Sequence, residues 1–281
     1  MGLESPEAER GPAVLIVGGL LTSWLWYCPF RGRIRRRGAS HVAIAHVWLR
    51  QWVLAAFVGP ARSASVVADA IDRLYAEEKR PILVVGHSGG GILARLALAR
   101  EPFDGTRLAR RDAVGAVVTL GTPHQATRFD GTIGRHGLRA LRFLQALDEA
   151  PGPSDPWATL SVGGRLPEAP PAGGSLADRL RRRLTAWCYR ALLGPKGAGA
   201  PGDGLVPLEC AILPRAEELR LPGVAHAPIF GTPWYFSEEG VAKWWARAFE
   251  FWQGAVIARS TAGPEEKGTG SAPDSALQSD A

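Results

Sequence analysis

Residues 81–99 read "PILVVGHSGGGILARLALA", and this stretch holds the pattern that decides the fold class. A short apolar run is followed by four glycines around one serine, Ser88, and then by an almost wholly apolar segment. Apolar runs of this length are typical of buried parallel strands, and the segment after it predicts a buried helix. The glycines between the two elements either cradle a phosphate or bend the backbone enough to expose a nucleophile.

Similar apolar runs recur along the chain and alternate with helical patterns. We predict strands at 13–19, 41–47, 81–87, 113–121, 157–163 and 219–226. We predict helices at 62–79, 90–100, 138–149, 176–193 and 238–252. This alternation is typical of a doubly wound parallel sheet. In the helix at 176–193, apolar residues at helical spacing predict a buried stripe formed by Leu176, Leu180, Leu184 and Trp187.

Composition indicates a folded protein with a sizeable core. The chain has 281 residues, of which 46% are hydrophobic and 21% are charged, and this excludes a largely disordered protein. Its three cysteines lie far apart, so neither a disulfide framework nor a metal cluster is expected. The polar N-terminus argues against a secretory signal, and no stretch reaches the ~18 apolar residues of a membrane span. We expect a soluble intracellular protein, cytoplasmic or in an organelle such as a plastid, and not secreted.

The charge balance is basic, with a formal net charge of +6 and five arginines within residues 31–37. Nucleic acid is not an expected partner, because the basic run has no interleaved aromatic residues and no binding module is recognisable. A solvated arginine-rich face is the first interpretation of this run. Peripheral contact with an anionic membrane surface is the alternative.

Two phosphate-binding interpretations of the glycines fail on neighbouring residues. A Walker A loop requires a lysine after the glycines, and none follows here. Gly89, Gly91 and Ala94 fit a dinucleotide fingerprint, but that site needs an acidic residue at the end of the next strand. That strand ends in Thr119-Leu120-Gly121-Thr122, without a carboxylate, and no nucleotide or other cofactor is expected.

The remaining interpretation is a G-x-S-x-G turn at residues 86–90, with Ser88 as the nucleophile. The acid and the base should then follow in chain order, each after a later strand. His226 directly follows the last predicted strand, and Asp203 precedes it in a glycine-flanked loop. His87, next to the serine, is expected to pack beneath the turn. We therefore predict Ser88, Asp203 and His226 as the catalytic residues.

Acyl transfer also requires two N–H donors for the developing oxyanion. The amide of Gly89 is one candidate, and that of Leu20, in the loop after the first strand, is the other, with Gly19 as its backup. Gly19 is also expected to contact substrate, as is Trp24, which opens an aromatic cluster that forms either an acyl pocket or core. His124 directly follows a strand and is expected in the pocket wall or in a structural role.

The segments "GHSGG", "GTPH", "GDGLVP" and "GVAH", in this order, resemble the lipase-like and esterase-like proteins of the α/β-hydrolase superfamily. The resemblance covers about residues 12–252. It implies a mostly parallel sheet with helices on both faces, trimmed at its N-terminal strands, and a serine esterase or lipase acting on a hydrophobic acyl ester. The pair Gly18-Gly19 departs from the histidine-glycine pair usual before the oxyanion residue, which puts the substrate class in question.

The expected organisation is one α/β-hydrolase domain between two tails. The domain should span 12–258, with a flexible N-terminus at 1–11 and a disordered tail at 259–281. Within it we expect a small cap at 125–156 and an insertion at 164–200. Two other functions stay open on the same fold, a slow or inactive ligand-binding protein and an acyltransferase.

Overall fold

The computed structural model describes residues 10–20, 22–127, 132–149, 158–167 and 175–261. Most of the predicted flexible N-terminus and of the predicted C-terminal tail lies outside these ranges. Parts of the predicted cap and of the predicted insertion also lie outside them.

A parallel sheet forms the centre of the molecule, as the alternating pattern predicts. Its strands are β1 (Ala13–Val17), β2 (His41–Ile44), β3 (Ile82–His87), β4 (Val114–Leu120), β5 (Thr159–Arg165) and β6 (Glu217–Pro222). They lie in the order β2-β1-β3-β4-β5-β6, and every neighbouring pair is parallel. Because β3 lies between β1 and β4, the residues that follow these three strands meet at one edge of the sheet.

Helices cover both faces of the sheet. They are α1 (Phe30–Arg35), α2 (Leu49–Val58), α3 (Ala61–Glu78), α4 (Gly89–Leu98), α5 (Thr132–Glu149), α6 (Leu176–Leu193), α7 (Leu208–Ala211) and α8 (Glu238–Thr261). Side chains of β1 alternate between two hydrophobic clusters, with Leu15 and Val17 in one and Val14 and Ile16 in the other. Each face of the sheet therefore has its own core. Within the described ranges, no helix combines the length and the apolar character needed to cross a bilayer.

Several boundaries differ from the predicted ones. Strand β6 ends at Pro222, so His226 lies in the loop beyond it and not at its last position. Helix α8 continues to Thr261, past the predicted end of the domain at residue 258. Helices α1, α2 and α7 were not predicted, and α1 and α7 span only six and four residues.

The basic run at 31–37 contacts the protein itself. Its arginines lie on α1 and in the turn after it, and three of them, Arg33, Arg36 and Arg37, pair with Glu238 at the start of α8. Arg33 also donates to the carbonyl oxygen of Phe236. Since α8 begins where these side chains converge, the run joins two helices, and the solvated-face interpretation was incomplete.

The predicted buried stripe of α6 is wrong. Leu176, Leu180 and Trp187 are 65%, 56% and 67% exposed. The helix buries Cys188, Tyr189 and Leu192 on its opposite face instead. Hydrophobic spacing identified the helix, but it did not identify the face that meets the core.

Candidate active site

Ser88 occupies the turn between β3 and α4. Its φ of 54° and ψ of −129° are strained for a residue with a side chain, which is typical of the serine in a G-x-S-x-G turn. A Cβ atom on Gly86 would lie 2.5 Å from the Cα atom of Gly91, and one on Gly90 would lie 2.5 Å from the carbonyl oxygen of Gly18. Glycine is therefore required two residues before and two residues after the serine.

The end of β4 holds the backbone of Ser88 in place. The amide of Ser88 donates to the carbonyl oxygen of Leu120 over 2.9 Å. The hydroxyl of Thr122 donates to the carbonyl oxygen of Ser88, also over 2.9 Å. Gly89, the first residue of α4, then presents its amide at the positive end of that helix. The strained turn is thus stabilised by a neighbouring strand and not by the turn alone.

Asp203 and His226 form a buried pair at the same edge of the sheet. His226 Nδ1 lies 2.8 Å from Asp203 Oδ2, and the side chains are 5% and 1% exposed. The other oxygen of Asp203 accepts from the amides of Leu205 and Val206, over 3.0 and 2.8 Å. Because a carboxylate only accepts, Nδ1 of His226 carries the hydrogen and Nε2 stays an acceptor.

Tyr235 is a further partner of Asp203 that the sequence did not indicate. Its hydroxyl donates to Asp203 Oδ2 over 3.0 Å and accepts from the amide of Gly164 over 2.7 Å. Burial, followed by the negative charge of Asp203, raises the pKa of Tyr235 well above its usual value. The phenol therefore stays protonated and can keep donating to the carboxylate. It lies 32 positions from its partner, too far for any local pattern to show.

His226 lies beside the turn that carries Ser88. The ring centroid of His226 is 4.7 Å from that of His87, the residue before Ser88. Across the described part of the chain, no hydrogen bond joins Ser88 Oγ to the ring of His226. Such contacts are often long without substrate and shorten when it binds. The structure thus pairs Asp203 with His226 and places the ring of His226 against that of the residue before Ser88, without a hydrogen bond between Ser88 and His226.

His87 packs beneath the turn, as predicted, and forms a chain of hydrogen bonds there. Its Nε2 lies 3.1 Å from the carbonyl oxygen of His226, which can only accept, so Nε2 carries the hydrogen. Its Nδ1 therefore accepts from the hydroxyl of Tyr27 over 2.8 Å. That hydroxyl in turn accepts from the amide of Gly19 over 2.9 Å. Burial, followed by the nearby His226, lowers the pKa of His87 well below its usual value and keeps its ring neutral.

This series of hydrogen bonds distinguishes two candidate oxyanion donors, the amides of Gly19 and Leu20. The amide of Gly19 already donates to Tyr27, so the structure does not leave it available as the backup donor. The amide of Leu20 donates to none of the described residues, and it would lie 3.4 Å from a Cβ atom built on Gly89. The amide of Leu20 therefore lies close to Gly89, the residue after Ser88.

The two other predicted substrate contacts lie in different surroundings. Trp24 is half-buried, with its ring centroid 4.4 Å from that of His46 and 5.9 Å from that of Trp48. His124 is fully buried and bonds to Thr119 and Arg95. A side chain with no accessible surface cannot line an open pocket. The structure therefore supports a structural role for His124 and not a place in the pocket wall.

In the ranges that the structure describes, no three His, Cys, Asp or Glu side chains are arranged to hold a metal ion.

Known proteins resemble this chain mainly in fold. A family model described as "PGAP1-like alpha/beta domain" matches residues 57–147, which is less than half of the chain. The mature form of the lipase BlEst2 from Bacillus licheniformis aligns with a TM-score of 0.59 and 18% identity, covering 89% of this chain and 96% of that one. Its propeptide form aligns with a TM-score of 0.51 and 18% identity, covering 81% of this chain and 48% of that one. No curated protein sequence matches.

The strand order of the sheet, the turn at Ser88 and the structural likeness all indicate the same fold. The chain has the α/β-hydrolase fold, as its motifs predicted, and it resembles the lipase-like and esterase-like proteins built on that fold. At 18% identity the likeness extends to the fold and not to a substrate.

Proposed function

We propose that this protein is a serine hydrolase that cleaves carboxylic esters through an acyl-enzyme. The observation that carries the proposal is the buried Asp203–His226 pair, with 2.8 Å between Oδ2 and Nδ1, set beside a strained serine on a strand-to-helix turn. This combination costs stability, because it buries a charge and strains the backbone, and it is found where a nucleophile must be activated.

In the proposed reaction, Ser88 Oγ attacks the ester carbonyl carbon as His226 Nε2 takes its proton. Asp203 stabilises the imidazolium that forms and holds the ring in orientation. The oxyanion accepts hydrogen bonds from the amides of Leu20 and Gly89. When the tetrahedral intermediate collapses, His226 returns the proton to the leaving alkoxide. Water, deprotonated by the same ring, then releases the carboxylic acid and restores Ser88.

Apolar side chains around the loop after β1, which carries Gly19 and Leu20 and is called the oxyanion loop below, favour a hydrophobic acyl ester as the substrate. Leu20, Leu25, Trp26 and Trp48 are 46%, 52%, 66% and 42% exposed. Trp52 of α2 also lies close to the turn at Ser88, since a Cβ atom on Gly89 would lie 3.2 Å from its ring. A polar substrate would gain nothing from this surface, whereas an acyl chain would remove it from water.

A fluorophosphonate probe tests the nucleophile, and a chromogenic acyl ester tests turnover. We expect wild-type protein to be labelled and active, and Ser88→Ala to lose both while keeping its fold. Ser65→Ala, on α3, is the matched control and should behave as wild type. Labelling that persists in Ser88→Ala would show that another residue is the nucleophile.

A ligand-binding protein on the same fold is the second candidate, favoured by the open contact between Ser88 and His226. It predicts no labelling and no turnover in the wild-type protein. Acyl transfer predicts the same labelling as hydrolysis, but an ester product when an alcohol is added, and product analysis separates the two.

A further inference from the structure

The exposed face of α6 is apolar on one side and basic on the other. Leu176, Leu180 and Trp187 form its apolar row. An arginine follows each of them by three positions, so Arg179, Arg183 and Arg190 form a second exposed row beside the first. Inside the described ranges, none of these three arginines has an acidic partner. We call this surface, formed by these six residues, the α6 face.

We propose that the α6 face binds the surface of an anionic lipid bilayer. Helices that lie in the plane of a bilayer combine apolar side chains, which enter the acyl boundary, with lysines or arginines that meet anionic headgroups. Tryptophan prefers this interfacial depth, since its ring is apolar and its N–H is polar. Arginine can extend along the surface while its head stays in water.

A second copy of this chain is a poorer fit to the same face. In a two-fold dimer a patch meets its own copy, so the arginine rows of both copies would enter one interface without an acidic side chain of the α6 face to balance them. The chain is also basic as a whole, with a net charge of +6. An anionic bilayer supplies both the negative charge and the apolar depth that the α6 face presents.

The inner face of α6 connects this surface to the candidate active site. The hydroxyl of Tyr189 accepts from the amide of Gly204 over 2.9 Å, directly after Asp203. The carbonyl oxygen of Leu192 accepts from the amide of Thr127. A bilayer on the outer face would thus lie about one helix diameter, ~10 Å, from the acid loop. The proposed membrane contact lies on α6 and not on the basic run at 31–37, in which three of the five arginines pair with Glu238.

Co-sedimentation with lipid vesicles tests the proposal. We expect binding to phosphatidylcholine vesicles that contain phosphatidylserine, weaker binding in high salt, and little binding to phosphatidylcholine alone. Ser88→Ala should bind as well as the wild type, so this result does not depend on the proposed hydrolase activity. Absence of binding to anionic vesicles at low salt would overturn the proposal.

Two sets of variants assign the binding to the α6 face. Replacing Arg179, Arg183 and Arg190 with glutamine should weaken binding about 100-fold, at about 5-fold for each arginine. The matched control replaces Arg31, Arg62 and Arg73, which are exposed on α1 and α3 and remove the same charge. Equal losses in both sets would show that only net charge matters and would overturn the proposal.

The apolar row requires its own test. Leu180→Ser with Trp187→Ser should weaken vesicle binding about tenfold or more, while Ile257→Ser on α8 should not. All replaced side chains are exposed, so circular dichroism should be unchanged. If sedimentation equilibrium shows a wild-type dimer that Leu180→Ser with Trp187→Ser dissociates, the α6 face binds a second copy and the bilayer proposal is wrong.

Discussion

A buried tyrosine and a buried histidine connect two loops that the proposed chemistry needs. The hydrogen bonds run in one direction, from the amide of Gly19 to Tyr27, from Tyr27 to His87, and from His87 to the carbonyl oxygen of His226. The first residue precedes the proposed oxyanion donor Leu20, and the last is the proposed base. His87 and Tyr27 are positioning residues, since both act on the site through its backbone.

Replacing Tyr27 with phenylalanine tests this role. The change keeps the ring but leaves the Gly19 amide and His87 Nδ1 without their partner, at a cost of about 1–3 kcal/mol. We expect kcat to fall about 10- to 100-fold with KM little changed, because the oxyanion loop loses its anchor. Tyr75→Phe, on the exposed side of α3, is the control. An unchanged kcat in Tyr27→Phe would remove the positioning role.

At the scale of elements, close packing between α4 and β1 fixes the orientation of the turn at Ser88. Gly90, in the first turn of α4, lies against the carbonyl oxygens of Val17 and Gly18 at the end of β1. This approach places the helix N-terminus, with the amide of Gly89, beside the oxyanion loop. The glycine is required by contact with another element and not by its own backbone angles.

We expect Gly90→Ala to destabilise the protein by about 1–3 kcal/mol, because its Cβ atom would force α4 away from β1. Gly254→Ala, on the exposed side of α8 with nothing within 4 Å of the new Cβ atom, should stabilise it by about 0.5–1 kcal/mol. Urea unfolding of the two variants measures both changes. Equal effects of the two substitutions would contradict the packing argument.

For the whole molecule, two buried histidines make stability depend on pH. Burial, followed by the electrostatic effect of His226 on His87 and of Arg95 on His124, lowers the pKa of each ring well below its usual value. The unfolded chain therefore binds protons at a higher pH than the folded one. The stability from these neutral rings is complete above about pH 6.5 and is lost as the pH falls below it.

The free energy of unfolding should fall between pH 7 and pH 5, by up to about 1.4 kcal/mol per pH unit for each histidine. His124→Asn keeps an acceptor for Arg95 without a titrating group, so its pH slope should be smaller than that of the wild type. Urea unfolding across this range measures the slopes, and an unaltered slope in His124→Asn would exclude that ring as a cause.

The sequence by itself determined the alternation of strands and helices, the turn around Ser88, and the chain order of serine, acid and histidine. These features depend on local properties, namely hydrophobic period, the small size of glycine, and the position of polar residues after apolar runs. The pairing of His226 with Asp203 was predicted because both follow strands of one parallel sheet, whose carboxyl ends meet at one edge.

Only the tertiary structure decided which face of α6 meets the core and which residues support the site from below. Leu180 and Trp187 have the spacing of a core stripe, yet the core has room for Tyr189 and Leu192 instead. Tyr27 and His87 are 60 positions apart. A hydrogen bond over that distance depends on how whole elements pack against each other, and no local pattern in the sequence encodes it.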